Sequence, residues 1–385
     1  MVKKTVTLSE LLFWIAYIPY VSILLLELSL YKNIVLINAI VKIIRYGCYV
    51  ILGVKFFTDI SYKRKNIIYA FLLCILLGMS AIFSGDKQMF CLLLFIGATH
   101  NIEFEKIVKV SLIIHIFIMS AVFMGCFMGI LDNRIFEEGI RIRYSLGYSY
   151  TTTSANLFMH IILMWIFVRK NSMKFIESIV LLIINGILYY FTDTKSAFMF
   201  GTFAIFCGMF FKANICRKLY LKLIPFFKSL IPVCVVITSI AMIFYDENLS
   251  FWNKINTMLN GRIQLTHRAF IKYGCHLFGS PIQWVGNTKY ETGINALREY
   301  NYVDSSYAQI ALKFGIVFLI IVCIYYSILL NQSMQKKDYY LGTCIMVIVI
   351  HSLLDPQLMM LAFHPFMLGL GYIVEHSKFD INSTM

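Results

Sequence analysis

The stretch IVKVSLIIHIFIMSAVFMGCFMGIL, residues 107–131, contains a single charged side chain, Lys109. About 20 consecutive apolar residues in a helix are enough to cross the hydrocarbon core of a bilayer. Outward from this stretch the chain stays apolar, because 59% of its 385 residues are hydrophobic and only 14% are charged. A water-soluble core cannot hold so many apolar side chains, so the sequence predicts an all-α polytopic membrane protein.

Apolar segments of spanning length recur along the whole chain. About twelve are predicted, near residues 11–30, 34–56, 67–84, 88–101, 107–131, 153–168, 175–192, 196–211, 229–245, 305–330, 339–354 and 358–374. The fourth, QMFCLLLFIGAT (88–99), is short, so a re-entrant segment is the alternative there. Together the spans predict one integral membrane domain over residues 1–385.

Lysine and arginine are unevenly distributed over the short connections between these spans. With the N-terminus inside, the cytoplasmic connections after the fourth span hold thirteen, namely Lys106, Lys109, Arg169, Lys170, Lys174, Lys212, Arg217, Lys218, Lys222, Lys228, Lys336, Lys337 and Lys378. The outer ones hold four, namely Arg134, Arg141, Arg143 and Lys195. Short loops that are rich in lysine and arginine usually lie on the cytoplasmic side of a membrane. With twelve spans, this bias predicts that both termini lie inside. The net charge of +14 follows mostly from this bias and does not indicate nucleic-acid binding.

Two predicted outer segments, residues 132–152 and 246–303, are longer than simple connections. A loop of almost sixty residues between membrane helices is typical of a functional segment that carries short helices of its own. Within it, LNGRIQLTHRAFIKYG (259–274) has apolar residues at loosely helical spacing among basic ones. This pattern predicts an amphipathic helix at the outer membrane surface.

Arg141, Arg143, Arg262 and Arg268 lie in these outer segments, where the orientation of the chain does not require positive charge. The planar guanidinium donates two parallel hydrogen bonds to phosphate oxygens, so these arginines are candidates for binding a diphosphate. The alternative is that each one contacts a lipid headgroup or an acidic residue of the same loops.

Two spans begin at the predicted outer side with hydroxyl-rich sequence. TTTSAN (151–156) opens the sixth span, where free N–H groups and the positive end of the helix dipole favour an anion. In VDSSYAQ (303–309), Ser306 and Gln309 have the spacing of a capping box, so we expect a helix to begin there. Asp304 then lies just before that helix, where its simplest role is to complement the helix dipole.

Further titratable residues lie near the same predicted level. His267 is in the large outer loop, while His351, Asp355 and His364 border the turn between the last two spans. A histidine or carboxylate at the water boundary can act as a general base toward a hydroxyl group. His267, Asp304 and His351 therefore remain alternative bases.

Charged residues also occur within the predicted spans. Lys42 and Arg45 are three residues apart, so they share a helix face and should face the bundle interior, a cavity or a partner such as Glu27. The cysteines show neither a disulfide framework nor zinc-ligand spacing.

The order of these motifs resembles that of the Wzy-type polysaccharide polymerases, in the O-antigen polymerase and ligase family. The similarity lies in RYSLGYSYTTTSAN (143–156) opening a span, NGRIQLTHRAFIKYGCHLFGSP (260–281) in the large loop and YVDSSYAQIALKFGI (302–316) entering the next span. It covers the chain from about Arg141 onward. In the family the first motif commonly reads R-x-S-L-G-F followed by His-Pro-Asn, and the second reads S-G-R. Here Tyr148 stands for the aromatic residue, YTT replaces the His-Pro pair, and Asn260 replaces the serine.

The resemblance implies a GT-C-like helical fold and a glycosyltransferase that works at the outer face without a metal or other cofactor. The donor would be an oligosaccharide on undecaprenyl diphosphate, and the acceptor another lipid-linked repeat unit. The product would be capsular polysaccharide or exopolysaccharide. Besides the lipid bilayer, flippase and chain-length regulator proteins would be the partners.

For this chemistry, the candidate base is one of His267, Asp304 and His351, as the residues themselves left open. The candidate substrate-binding residues are Arg141, Arg143, Asn156, Arg262, Arg268 and Tyr307, of which Arg143, Asn156 and Arg262 match the family motifs.

Three other classes are compatible with the sequence. A ligase that transfers finished glycan to another acceptor would share the fold and the donor arginines. A flippase or other transporter could have twelve spans and buried charges, but two homologous halves would be expected, and the sequence shows no internal repeat. A non-catalytic scaffold is disfavoured by the clustered outer arginines.

Overall fold

The structure is a computed structural model of the chain. It describes residues 7–58, 64–138, 141–213, 217–218, 220, 222, 227–291, 296–369 and 372–373. Both chain termini, and with them Lys378 of the predicted cytoplasmic charges, lie outside the described residues.

Helices form most of the first half of the chain. They are α1 (Leu8–Leu28), α2 (Val35–Thr58), α3 (Arg64–Ser84), α4 (Gln88–Ala98), α5 (Phe104–Phe127), α6 (Thr151–Arg169), α7 (Phe175–Thr192) and α8 (Lys195–Phe210). The predicted outer segment between α5 and α6 contains an antiparallel hairpin of β1 (Ile135–Glu138) and β2 (Arg141–Tyr144). The sequence patterns gave no indication of this hairpin.

Further helices follow in the second half. They are α9 (Leu230–Phe244), α10 (Ser250–Met258), α11 (Arg262–Tyr273), α12 (Ser306–Gln309), α13 (Ile316–Gln335) and α14 (Tyr339–His351). The large outer segment therefore carries short helices, α10 and α11, as predicted.

Five helices are long and apolar enough to cross a membrane, namely Leu8–Leu28, Phe104–Phe127, Thr151–Ser172, Phe175–Thr192 and Ile316–Gln335. Shorter apolar helices in the described part of the chain are Phe71–Ser84, Gln88–Ala98, Lys195–Phe210, Leu230–Phe244 and Tyr339–His351. Large apolar side chains cover their outward faces, and Phe117, for example, is 70% exposed. Such a surface suits lipid rather than water, so the chain fits the class of membrane-embedded all-α proteins.

Helix α6 lies at the centre of the bundle. In the most apolar 18-residue stretch of α6, 78% of the residues are buried. In the corresponding stretch of α7, only 28% are buried. α5, α7, α8 and α14 all pack on α6. The polar TTTSAN sequence that opens α6 therefore faces protein, with Thr151, Ser154 and Asn156 all buried.

Two predicted spans are interrupted in the structure. The tenth, 305–330, begins as α12, continues as one π-helical turn (Ile310–Phe314), turns at Gly315 and resumes as α13. In the twelfth, 358–374, the residues up to 369 form turns and one short 3-10 helix, Phe366–Leu368, because Pro365 has no N–H for a continuous helix. Helix α4 has 11 residues, about 16 Å at 1.5 Å per residue, which is about half of a bilayer core.

Gly315 makes its turn against a loop of the large outer segment. The backbone N–H of Ser280 donates to the carbonyl oxygen of Lys313 at 3.1 Å. Gly279 and Gly315 have φ angles of 91° and 95°, and a Cβ on either would overlap backbone atoms of the opposite segment. These contacts join the large outer segment to the helical bundle, and only glycine fits at both positions.

Charged side chains within the apolar helices form ion pairs. Arg45 pairs with Glu27, as predicted, and Nζ of Lys313 lies 2.6 Å from Oδ2 of Asp86. Lys42, by contrast, is exposed on α2. The pairing of Arg45 reduces the cost of its charge in an apolar environment.

Several elements meet at one end of the bundle, which we call the site end. Here α6 and α8 begin, α7 and α14 end, and the β-hairpin lies over the turn between α7 and α8. The large outer segment contacts the hairpin, because the hydroxyl of Tyr290 donates to the carbonyl oxygen of Ile135 at 2.6 Å. The two segments predicted to be outer loops are therefore in contact.

The predicted amphipathic helix is α11, but it does not lie with its apolar face on the membrane surface. Ala269, on that face, belongs to a cluster with Met242 of α9, and Ile263 is also buried. Helix α11 packs along α9. Its helical periodicity was predicted correctly, whereas the partner of its apolar face is protein rather than lipid.

Candidate functional site

The carboxylate of Asp355 is the centre of a polar cluster at the site end. Its Oδ1 accepts a hydrogen bond from Nδ2 of Asn156 at 3.3 Å. Its Oδ2 lies 3.5 Å from the donating hydroxyl of Ser196 and 3.2 Å from Nε2 of His351. α6, α8 and the end of α14 thus each contribute one polar side chain to one buried carboxylate.

Ser306 fixes the backbone around Asp355. Its N–H donates to the carbonyl oxygen of Ser352 at 2.9 Å, and its hydroxyl donates to the carbonyl oxygen of Asp355 at 2.8 Å. The same hydroxyl accepts from the N–H of Leu358 at 3.1 Å. Helix α12 begins at Ser306 as predicted, but the expected capping box does not form, because this hydroxyl binds the 352–358 turn instead.

Arg262 and Asp304 form an ion pair beside this turn. Nε of Arg262 lies 3.1 Å from Oδ2 of Asp304, and Nη1 of Arg262 donates to the carbonyl oxygen of Leu354 at 2.6 Å. The two side chains are 26% and 19% exposed, so solvent reaches both of them in part. The first residue of α11, the segment before α12 and the turn after α14 are thereby held together.

The two carboxyl groups of the site have opposite pKa shifts. Burial raises the pKa of Asp304 to about 6, an effect that Arg262 opposes and that the Asp355 carboxylate increases. Burial also acts to raise the pKa of Asp355, but His351, Arg262 and Asn156 outweigh it and hold that pKa below its ordinary value. Asp355 therefore stays ionised at neutral pH, while Asp304 titrates close to neutral pH.

The elements that meet at the site end also carry unpaired polar atoms. Side-chain oxygens of Thr151, Ser154, Asn156, Ser305 and Ser352 are buried and have no hydrogen-bond partner among the described residues. Helices α6 and α8 also point their free N–H groups toward this region. Buried polar groups are nearly always satisfied in native proteins, so this concentration is typical of a site for a polar ligand.

Arg143 lies between the β-hairpin and α7. It is 7% exposed, and its Nε donates to the carbonyl oxygen of Thr192 at 2.8 Å. Its guanidinium carbon is 6.0 Å from the ring centre of Tyr150, which packs edge-on against Phe136 of the hairpin. Arg143 thus lies beside the start of α6, at the hairpin side of the polar cluster.

Tyr150 also lies near the Asp304 segment. It acts electrostatically on Tyr300 and Tyr302, both of which precede Asp304 in the chain. Burial and the nearby Asp304 carboxylate raise the pKa of the Tyr302 hydroxyl, which therefore keeps its proton at neutral pH.

Arg141 makes a different contact. It forms an ion pair with the carboxylate of Asp193, and its Nη2 donates to the carbonyl oxygen of the same residue at 3.1 Å. Asp193 has a φ angle of 43° at the end of α7. Arg141 therefore holds the hairpin against the α7–α8 turn. Its ion pair with an acidic residue is the alternative to diphosphate binding that was considered for the outer arginines.

Three other predicted site residues lie away from the Asp355 cluster. Nδ1 of His267 is hydrogen-bonded to the carbonyl oxygen of Met242 at 2.8 Å, so the ring faces α9. Arg268 is exposed on α11. Tyr307 is buried in the bundle core, and its hydroxyl donates to the carbonyl oxygen of Val349 at 2.9 Å.

Of the predicted site residues, Asn156, Arg262, Asp304 and His351 come together around Asp355, with Arg143 at the hairpin side. The sequence patterns gave no indication of Ser196, and they placed Asp355 near the predicted level of the site without a specific role. The Asp355-Pro356 pair was the available signal, because a carboxylate in a proline turn between apolar segments is unusual.

His364, the remaining residue noted at this turn, is fully buried deeper in the bundle. Its Nε2 is hydrogen-bonded to the backbone oxygen of Gln357 at 3.1 Å, and its ring centre is 4.8 Å from that of His160. Within the described residues, no group of three or more His, Cys, Asp or Glu side chains is arranged to hold a metal ion.

Comparison with known proteins gave no match, whether to a protein-family model, to a curated protein or to a solved structure.

Proposed function

We propose that the chain is a membrane glycosyltransferase that polymerises undecaprenyl-diphosphate-linked oligosaccharide repeat units into capsular polysaccharide or exopolysaccharide. The observation that carries the proposal is the pairing of Arg262 with Asp304 beside the buried Asp355 carboxylate, at one end of an apolar helical bundle. A partly exposed cation next to a carboxyl that titrates near neutrality combines an anion site with a base. Glycosyl transfer from a lipid diphosphate requires both.

In this reaction a hydroxyl oxygen of the acceptor sugar attacks the anomeric carbon of the donor. The bond between that carbon and the diphosphate oxygen breaks, and the electron pair leaves with the diphosphate. The hydroxyl proton passes to the base. Because negative charge grows on the departing oxygen, a fixed guanidinium lowers the barrier more than it stabilises the bound donor.

Arg262 is the proposed ligand of the diphosphate. Its contacts with Asp304 and with the carbonyl oxygen of Leu354 fix the plane of the guanidinium, which reduces the entropy lost on binding an anion. Arg143 and the N-terminal end of α6, with Asn156 in its second turn, add positive potential from the hairpin side. A diphosphate has two anionic groups, which suits two arginine-bearing segments.

Asp304 is the proposed base, with Asp355 supporting it. A base works best when its pKa lies near the working pH, and the pKa of Asp304 is raised to about 6. His351, Asn156 and Ser196 hold Asp355 in place, and the Asp355 charge helps to keep the pKa of Asp304 high.

The site end is proposed to be the outer face of a bundle of about twelve membrane segments with a GT-C-like arrangement and both termini inside. The excess of lysine and arginine in the connections at the opposite end supports this orientation. Substrates assembled in the cytoplasm would reach the site after a flippase has moved them across the membrane, and a chain-length regulator would act on the product.

The test compares two arginines of the same helix in producing cells. Arg262→Ala is expected to abolish polymer while single lipid-linked repeat units still reach the outer leaflet. Arg268→Ala is the matched control, because Arg268 is exposed and distant from Asp355 along α11, and it should retain polymer of normal length. Unchanged chain length in the Arg262 variant, at normal protein level, would reject the proposal.

The accumulated intermediate separates the polymerase from a ligase of the same chemistry. Single lipid-linked repeat units in the Arg262→Ala cells support the polymerase. Long lipid-linked polymer in those cells would instead assign the transfer of finished glycan to another acceptor. Repeat units retained in the inner leaflet would indicate a flippase.

A further inference from the structure

Helix α10 exposes large apolar side chains at the site end. Phe251 is 67% exposed and Met258 is 75% exposed, and Leu249, just before the helix, is 52% exposed. Phe251 and Met258 are seven residues apart, so they lie on the same face of the helix. This face is the opposite of the one that carries Trp252 and Asn256.

The other face of α10 is held against the end of α9. Only five residues, 245–249, separate the two helices. The Trp252 ring lies 6.0 Å from the ring of Tyr245, and Nδ2 of Asn256 donates to the Tyr245 hydroxyl at 3.3 Å. Since Tyr245 directly follows the last residue of α9, α10 stays at the level where that apolar helix ends.

The exposed surface of α9 leads to the exposed surface of α10. Ile237, Ile240 and Phe244 of α9 are 50%, 45% and 65% exposed, as expected for a lipid-facing helix. Phe244 lies at the end of this stripe, next to the short connection to α10. The apolar surface therefore continues from the membrane helix onto a short helix beyond its end.

Lys254 adds a positive charge to the exposed side of α10. A short helix with aromatic and aliphatic residues on one side, tryptophan nearby and an exposed lysine is typical of helices that lie in the headgroup region. Anionic lipid headgroups attract such a lysine, while its apolar neighbours enter the acyl-chain boundary.

We propose that α10 is an interfacial helix, with Phe251 and Met258 inserted among the acyl chains of the bilayer and Lys254 at the headgroups of anionic phospholipids. The N–H of Gln264 donates to Oδ1 of Asn256 at 3.1 Å, so α10 also holds the first turns of α11. The membrane surface thereby fixes the height of Arg262 relative to the headgroups. This assignment does not depend on the glycosyltransferase activity.

Photo-crosslinking in proteoliposomes tests the assignment. A benzophenone-bearing phenylalanine analogue replaces Phe251 or Met258 in the full chain, reconstituted in phosphatidylethanolamine and phosphatidylglycerol. The matched control places the same analogue at Asn253, which is exposed on the opposite side of the same helix. Mass spectrometry then measures the phospholipid adduct at each position.

Adducts several-fold more abundant at positions 251 and 258 than at 253 are the expected result. No adducts at any position would place α10 in water, and equal adducts at all three positions would show that its apolar face is not the side inserted in the bilayer; either result overturns the proposal. Crosslinks from 251 or 258 to a second copy of the chain or to another protein would also overturn it, because they would identify the apolar face as a protein interface.

Discussion

Nε of Arg262 lies 3.1 Å from Oδ2 of Asp304, while Nη1 of the same guanidinium donates to the carbonyl oxygen of the residue before Asp355. Arg262 also lowers the pKa of both carboxyl groups electrostatically, so one cation acts on two carboxyl groups that come from distant parts of the chain. It can fully compensate only one of them. Asp355 has additional partners in His351, Asn156 and Ser196, so it keeps the charge, and Asp304 becomes the group that titrates near neutral pH.

The first prediction concerns the pH dependence of activity. If ionised Asp304 is the base, kcat/KM should rise with pH through an inflection near 6. Arg262 lowers the pKa of Asp304 and Asp355 raises it, so Arg262→Gln should move the inflection up and Asp355→Asn should move it down. Rates of residual transfer across pH 4.5–8, measured on purified protein with a lipid-linked donor, test these directions. An inflection that stays in place in both variants would contradict Asp304 as the titrating base.

The second prediction concerns stability. The folded-state pKa of Asp304 is raised from 3.8 to about 6, so its contribution to stability is fully present below the unfolded pKa and is lost as pH rises through about 6. The shift corresponds to about 3 kcal/mol between the two limits. Asp304→Asn keeps the group neutral, so its Tm relative to the wild type should increase from pH 4 to pH 8.

Thermal unfolding in detergent at both pH values measures this difference. Asp132→Asn is the control, because Asp132 is exposed near the hairpin. The Tm difference between this variant and the wild type should be the same at both pH values. A Tm difference for Asp304→Asn that does not change with pH would show that ionised Asp304 carries no folding cost.

The third prediction separates two histidines. His351 lies 3.2 Å from Asp355 and lowers the pKa of that carboxyl, so His351→Ala should leave Asp355 less charged. The inflection assigned to Asp304 should then move to lower pH, and kcat should fall by at least about tenfold. His267→Ala should change neither, because that ring is bonded to the backbone of α9. Loss of activity in the His267 variant with an unchanged His351 variant would reverse the assignment.

The sequence predicted the elements that start or end at the site better than the contacts between them. The helix within residues 259–274 follows from its local spacing, and the start of α12 at Ser306 was predicted correctly although the capping box behind that prediction does not form. The pairing of Asn156 with Asp355 joins residues 199 positions apart, and no local pattern encodes it. Ser196 was missed for the same reason.

Periodicity also left the partner of an apolar face undetermined. Ile263 and Ala269 gave α11 its amphipathic pattern, which is the same whether the apolar face meets lipid or the side of α9. Tyr307 shows a related limit, because membership of a motif does not say which way a side chain points. Its hydroxyl binds the carbonyl oxygen of Val349 inside the bundle.

The last prediction concerns the contact between Gly279 and Gly315. Gly315 has φ 95° and ψ 165°, a region that is essentially restricted to glycine, and a Cβ there would overlap the carbonyl oxygen of Leu277. Gly315→Ala and Gly279→Ala should each destabilise the fold by at least about 2 kcal/mol, since backbone strain and overlap add. Gly186→Ala is the control, because Gly186 lies within α7 and a Cβ there meets nothing within 4 Å, so it should be neutral or stabilise by about 0.5–1 kcal/mol. Thermal unfolding of the three purified variants measures the difference. Equal Tm values would mean that the large outer segment is not fixed to the bundle at this contact, and the position of Arg262 would then need another support.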